Sequence, residues 1–218
     1  MMLLVSGATV SMRRVLSLPG ARARIGVLAT PRASALWARD LDDVVIAADN
    51  DAYCAWNEPR FVRMLQVHQS IADRVAWIAA PDVVRDARAT LARWCEWAPV
   101  VRSYGYRVAY VVQDGTEDIG LPFADAYFVG GSDRYRASGT LRLIVRDLVD
   151  SGKWVHIGRV NSLARYRYWD ALGCASCDGT QYSRWADRYL TWMLRRTEHR
   201  QLALESLLTG INPACAAD

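Results

Sequence analysis

The sequence predicts an α/β domain in which parallel strands close into a compact barrel with helices on its outside. Short runs rich in Val, Ile and Ala recur eight times along the chain, and several stretches between them space their apolar residues as a helix does. The runs are apolar almost throughout rather than alternating, as strands covered on both faces are. At 218 residues the chain suits one domain with a sizeable core. No linker, fixed-period repeat or low-complexity block divides it.

In chain order the runs are MLLVSG, RIGVLAT, DVVIAAD, VAWIAAPD, RVAYVVQD, AYFVGG, WVHIGRV and ASCDG. Between the third and fourth, NEPRFVRMLQVHQSIADR places Phe61, Met64, Leu65, His68 and Ile71 on one helical face. After the fourth, Ala87, Leu91, Trp94 and Ala98 repeat that spacing, and Pro99 is expected to kink or end the helix. The link after the fifth run is too short for a full helix. TLRLIVRDLVDSG and SLARYRYWDALG each run into a glycine suited to a helix C-cap. From Tyr182 to Leu208, Trp185, Tyr189, Trp192 and Met193 recur at helical spacing and are expected to close the domain as core residues. Together these elements predict a single-domain (β/α)8, TIM-like barrel over residues 1–208, with a frayed tail at 209–218. A doubly wound open sheet uses the same elements and stays open as the alternative.

An apolar share of 52% with 23% charged residues is ordinary globular composition and excludes disorder along most of the chain. The N-terminal MMLLVSGATV is too short to span a bilayer and lacks a basic flank, and no other run reaches membrane length. Five cysteines at irregular spacing do not form a secreted disulfide framework. The expectation is a soluble protein of the reducing cytoplasm, the host's if the gene is carried by a phage. Lys153 is the one lysine among 27 basic residues, and the formal charge is +4. Arginine's planar fork suits phosphate, which favours a nucleic-acid partner, although an arginine-rich genome produces the same bias.

In parallel α/β folds ligands meet the carboxyl ends of the strands. Asp49, Asp82, Gln113, the pair Gly130 and Gly131, His156 with Arg159, and Asp178 all end apolar runs. An Asp after a strand is often only the N-cap of the next helix. Three of them with a Gln and a Gly-Gly pair at one mouth fit catalysis better, because one carboxylate can attack an anomeric carbon while another moves protons. Cys174 and Cys177 have a CxxC spacing, yet no second CxxC or His pair completes a zinc site, so small residues packed in a barrel explain them and neither metal nor cofactor is expected.

These residues resemble the tRNA-guanine transglycosylase superfamily, most closely its small DNA-acting members from phages and bacterial deazapurine modification systems. The resemblance covers roughly Val44 to Asp187. ADNDAY is similar to the family's Asp-Ser-Gly-Gly-Phe segment, which implies that Asp49 is the general acid/base for the leaving and entering bases. APDVV implies that Asp82 accepts from the donor edge of the purine, and VVQDG, like the family's Val-Gln-Gly-Gly, that Gln113 serves the base carbonyl. FVGGS resembles the glycine pair whose backbone approaches the base, here Gly130 and Gly131. CDGT falls where the family has its nucleophile, implying that role for Asp178. His156 and Arg159 lie beside that mouth as substrate-binding candidates, and Arg159, Arg165 and Arg167 are candidates for phosphate contact or else a solvated helix face. Asp51 stands where the family has glycine and Tyr53 where it has phenylalanine. The family's zinc subdomain after the barrel, a major part of its transfer-RNA grip, has no counterpart.

The resemblance therefore implies exchange of guanine in DNA for a free 7-deazaguanine base through a covalent aspartyl intermediate. The same exchange on tRNA, or a non-catalytic barrel that binds nucleic acid or a modified base beside a larger enzyme, are the alternatives. A small-molecule lyase or isomerase on the same barrel is a third.

Overall fold

The structure is a computed structural model and describes residues 1–184. The expected closing helix with Trp185, Tyr189, Trp192 and Met193, and the tail at 209–218, lie outside the described residues. The eight predicted runs form β1 (Met2–Val5), β2 (Ile25–Ala29), β3 (Ile46–Ala48), β4 (Val75–Ala79), β5 (Val108–Val112), β6 (Ala126–Val129), β7 (Trp154–Ile157) and β8 (Ser176–Cys177). They pair in chain order, every pair parallel, and β8 returns to β1. This closed (β/α)8 TIM barrel leaves no edge, so the open-sheet alternative is excluded.

Closure gives each strand two different apolar environments, which explains the lack of alternation in sequence. Leu4, Leu28, Ala47, Trp77, Ala79, Ala109, Val111, Ala126 and Phe128 pack as one cluster inside the barrel. Their neighbours one residue away, among them Leu3, Val27, Ile46, Ile78, Tyr110 and Val129, pack outward against the helices. Four alanines inside make room for the fully buried Trp77, an aromatic whose burial of ~200 Å² is worth about 5 kcal/mol before entropy.

The helices are α1 (Thr9–Leu16), α2 (Ala52–Ala55), α3 (Glu58–His68), α4 (Ala87–Ser103), α5 (Thr116–Ile119), α6 (Asp133–Arg136), α7 (Gly139–Asp150), α8 (Leu163–Ala171) and α9 (Thr180–Arg184). Phe61, Met64, Leu65, His68 and Ile71 are all buried, as their spacing predicts. The one-turn α5 fills the short link after β5. Pro99 does not end α4, which continues to Ser103. Buried Ala98 and Val101 hold that last turn against the core, and tertiary packing there outweighs the missing backbone donor. At the ends of α7 and α8, Gly152 and Gly173 take left-handed backbone. Gly152 and Lys153 donate to Val149 and Leu148, and Gly173 and Cys174 to Asp170 and Trp169, the paired bonds of a Schellman cap.

Five helices are capped by side chains, namely Asn57 on α3, Asp86 on α4, Ser132 on α6, Ser138 on α7 and Ser162 on α8. None of these caps is Asp49, Asp82 or Asp178. Asp86 rather than Asp82 caps α4, and α2, the helix after Asp49, has no side-chain cap, so capping does not explain those two aspartates.

Candidate active site

Period two along each strand carries the inward face one step past the barrel core. Ala47 is followed on that face by Asp49, Val111 by Gln113, Phe128 by Gly130 and Ser176 by Asp178. The result is a cavity of about 210 Å³ at the carboxyl ends of the strands. Asp49, Asp82, Gln113, Gly130, Gly131, Arg159 and Asp178 all line it, on apolar walls from Leu4, Leu28, Val111 and Phe128. Of the residues expected at the mouth only His156 is off that lining. It is completely buried beneath Asp178.

Asp178 is held from behind. Its Oδ1 accepts the backbone N–H of Arg159 at 3.0 Å, and its Oδ2 lies 3.0 Å from His156 Nε2. The His156 ring is wedged between Trp77 and Phe128, with centroids 5.0 and 4.6 Å away. Its Nδ1 is 2.9 Å from Ser176 Oγ, which accepts from Trp154 Nε1 at 2.8 Å. Indole can only donate, so the Ser176 hydroxyl proton is free to point at Nδ1, which leaves Nε2–H for Asp178. A chain from Trp154 through Ser176 and His156 thus orients the carboxylate, while 18% of its side chain stays open to the cavity.

Asp82 and Gln113 form a second unit. Gln113 Nε2 donates to Asp82 Oδ2 at 2.6 Å, and its Oε1 accepts from the backbone of Arg85 and Gly131 at 2.8 and 2.9 Å. Two backbone donors on the oxygen set the amide's orientation. Asn50 Nδ2 donates to Asp82 Oδ1 at 2.8 Å and to Ala80 O at 2.6 Å. Burial raises the Asp82 carboxyl above its ordinary range, against the donors from Asn50 and Gln113.

Asp49 has weaker support. Burial first, then the nearby charges of Asp178 and Asp82, push its carboxyl up to about 7, and the backbone N–H of Asp51 offsets little of this. Asp51 sits at φ 62, the left-handed conformation that glycine takes most readily, and pairs with Arg32 Nε at 2.8 Å. Arg159 stacks over the Tyr53 ring at 4.7 Å and donates from its guanidinium to Gly131 O.

No family model matches the chain, and no curated protein matches it. The geometry therefore speaks for itself. Two carboxylates of different character, one anchored by donors and one whose proton is held up to about pH 7, line the same cavity, an arrangement in which one can attack while the other moves a proton. Among the described residues no group of three or more His, Cys, Asp and Glu side chains could hold a metal ion, and Cys174 and Cys177 are buried free thiols, both pushed up by burial. Arg165 and Arg167 are exposed on α8, and Arg165 lies 3.5 Å from Asp133.

Asn50, Ser176 and Trp154 are the site residues that sequence reasoning missed. A signal existed for Ser176, a polar residue two before Asp178 on the inward face of an otherwise apolar strand. Asn50 had none, because its role depends on a partner 32 residues away. Among the described residues no helix is long and apolar enough to cross a membrane.

Proposed function

We propose that this protein is a base-exchange transglycosylase that removes guanine from DNA and installs a 7-deazaguanine derivative through a covalent aspartyl-glycosyl intermediate. This is the activity implied by its resemblance to tRNA-guanine transglycosylases. The observation that carries the reading is the pairing in one cavity of the anchored Asp178 with Asp49, whose carboxyl titrates at about 7.

A target base leaves the stack before its glycosidic bond can enter such a cavity. Asp178 attacks C1′, the bond from C1′ to guanine breaks with its electron pair on the base, and Asp49 supplies the proton that the leaving guanine takes. The incoming deazaguanine returns a proton to Asp49, attacks C1′ and displaces Asp178, so two inversions retain configuration. Base selection falls to Asp82 and Gln113. An ionised carboxylate has about four acceptor positions; Asn50 and Gln113 occupy two at Asp82, which leaves acceptors for the N1–H and amino donors of guanine. The second Gln113 Nε2 proton is available to the base carbonyl. Three acids crowded on apolar walls disfavour an anionic ligand in this cavity and favour a neutral one rich in donors.

The test is to incubate the purified protein with guanine-labelled DNA or RNA and candidate 7-deazaguanines, then to analyse released base and digested nucleosides by mass spectrometry. Release of guanine from DNA with matching deazapurine incorporation is expected. Exchange on RNA alone would move the substrate to tRNA, and no release from either would overturn the reading.

A further inference from the structure

A second cavity, of about 340 Å³, opens between α6 and α8, beside the mouth. Arg136, the last residue of α6, lines it and is 7% exposed. Its Nε and Nη1 are buried and have no hydrogen-bond partner among the described residues. A guanidinium carries five donors and does not give up its charge. Burying one with its fork unpaired is costly, and in native proteins such a group calls for an explanation. The side chain meets as many cations as anions. Arg159 and Arg165 bear on it together with Asp178 and Asp133, and burial followed by Arg159 pushes it down to about 10. Asp133, the one acid on the cavity wall, is mostly exposed and lies 3.5 Å from Arg165.

We propose that Arg136 is the centre of a phosphate-binding site beside the barrel mouth, built to take a backbone phosphodiester of a nucleic-acid strand at the guanidinium that lines this cavity and is short of hydrogen-bond partners. The planar set of N–H donors on a guanidinium suits the oxygens of a phosphate. Arg165 adds a second positive charge from the first turn of α8, where the helix dipole is positive. The small side chains of Ala137 and Ala164 line the same cavity. The cavity lies outside the acidic one, so an anion binds without facing Asp49 or Asp82. Tyr168, 42% exposed on the same wall, offers a ring on which a neighbouring base can stack, which favours a nucleic-acid strand over a small phosphate ester. The nucleic-acid source rests on the proposed exchange activity; the anion site does not.

The test uses the full chain as wild type, Arg136→Met and Arg136→Lys. Thermal melts are compared in sodium phosphate and in sodium chloride at matched ionic strength. Phosphate should raise the wild-type Tm above its chloride value, leave Arg136→Met without that increment, and give Arg136→Lys a smaller one because the fork is lost. If the Met variant fails to fold, the Lys variant decides on the same increment. An unchanged increment in the variants overturns the site. In the second arm a deoxyoligonucleotide carries one neutral methylphosphonate linkage, moved step by step away from its guanine. One position should weaken wild-type binding by about tenfold, the scale of one charge-assisted contact, and have no effect on Arg136→Met. A flat scan with the phosphate increment intact overturns the phosphodiester source. Absence of base exchange with both effects present counts against the exchange reading alone and supports this site.

Discussion

Three residues at the mouth hold backbone conformations that side chains usually avoid. Asp51, Arg85 and Arg159 have φ of 62, 66 and 56, each at a cost of about 1–2 kcal/mol. Two of them turn that cost into aimed donors, since Arg85 N–H reaches Gln113 and Arg159 N–H reaches Asp178. Asp178→Asn should cut exchange by about 10³-fold or more while melting within about 1 kcal/mol of wild type. The His156 tautomer can switch to accept from the new amide, so the fold has no reason to fail. Nucleoside mass spectrometry and circular dichroism check both halves, and near-normal exchange would remove Asp178 as nucleophile. Asp49 gives a pH signature. Its folded pKa of about 7 lies above the ordinary 3.8, so between those values the folded state holds a proton that the unfolded chain has lost. Stability from this group is present below about pH 4 and lost as pH rises to about 7. Asp49→Asn should therefore gain a few kcal/mol over wild type at pH 8 and little at pH 4, measured by melts at both. The same titration predicts that wild-type kcat/KM falls above about pH 7, as the acid for the leaving base deprotonates.

At the scale of elements, the site depends on strands ending one residue apart in character from their own cores. β6 shows this best, because Phe128 fills the barrel and Gly130, the next residue on that face, leaves a gap that Gln113 occupies. A Cβ at Gly130 would stand 2.8 Å from Gln113 Nε2 and 3.2 Å from its Cδ. Gly130→Ala should displace the amide from Asp82, cost about 1–3 kcal/mol in stability and reduce kcat/KM for guanine by about a hundredfold. Melts and steady-state exchange rates measure the two effects, and an alanine variant with normal rates would show that Gln113 does not contact the base. β7 and β8 contribute differently. They bring Trp154, His156 and Ser176 together under Asp178, and the carboxylate inherits its orientation from the barrel's most buried layer.

At the scale of the molecule, the described residues put the acids Asp49, Asp82 and Asp178 and one arginine, Arg159, on one cavity, and two further arginines, Arg136 and Arg165, with Asp133 on the cavity beside it. Base choice and strand affinity should therefore separate under mutation. Asp82→Ala is expected to lower guanine exchange by about a hundredfold or more, because the donors of the base lose their acceptor. Its affinity for the nucleic acid and the slope of that affinity with salt should stay near wild type, since those depend on arginine contacts to phosphate. Exchange assays beside salt-dependent binding titrations measure this. Equal loss in both, or adenine exchanged as readily as guanine, would show that Asp82 does not read the base.

The eight apolar runs, the polar residues that end them and the glycine stops of α7 and α8 were legible because each is a local pattern of period two, of period 3.6 or of a single permissive residue. Barrel closure was consistent with those runs, but only the pairing of β8 with β1 decided it. Pro99 does not end its helix for the converse reason, a local penalty overridden by the burial of Ala98 and Val101. His156 looked like a mouth residue beside Arg159, and the inward turn of β7 buried it below Asp178. The bonds from Asn50 and Gln113 to Asp82 join residues 32 and 31 apart, and the unpaired fork of Arg136 is visible only once neighbouring helices enclose it. The sequence by itself determined which residues can end a strand with a carboxylate, because side-chain chemistry and spacing are written in the chain. The tertiary structure decided which carboxylate is anchored, which keeps a proton and which is held by two amides, because those properties come from burial and from partners that are distant in sequence.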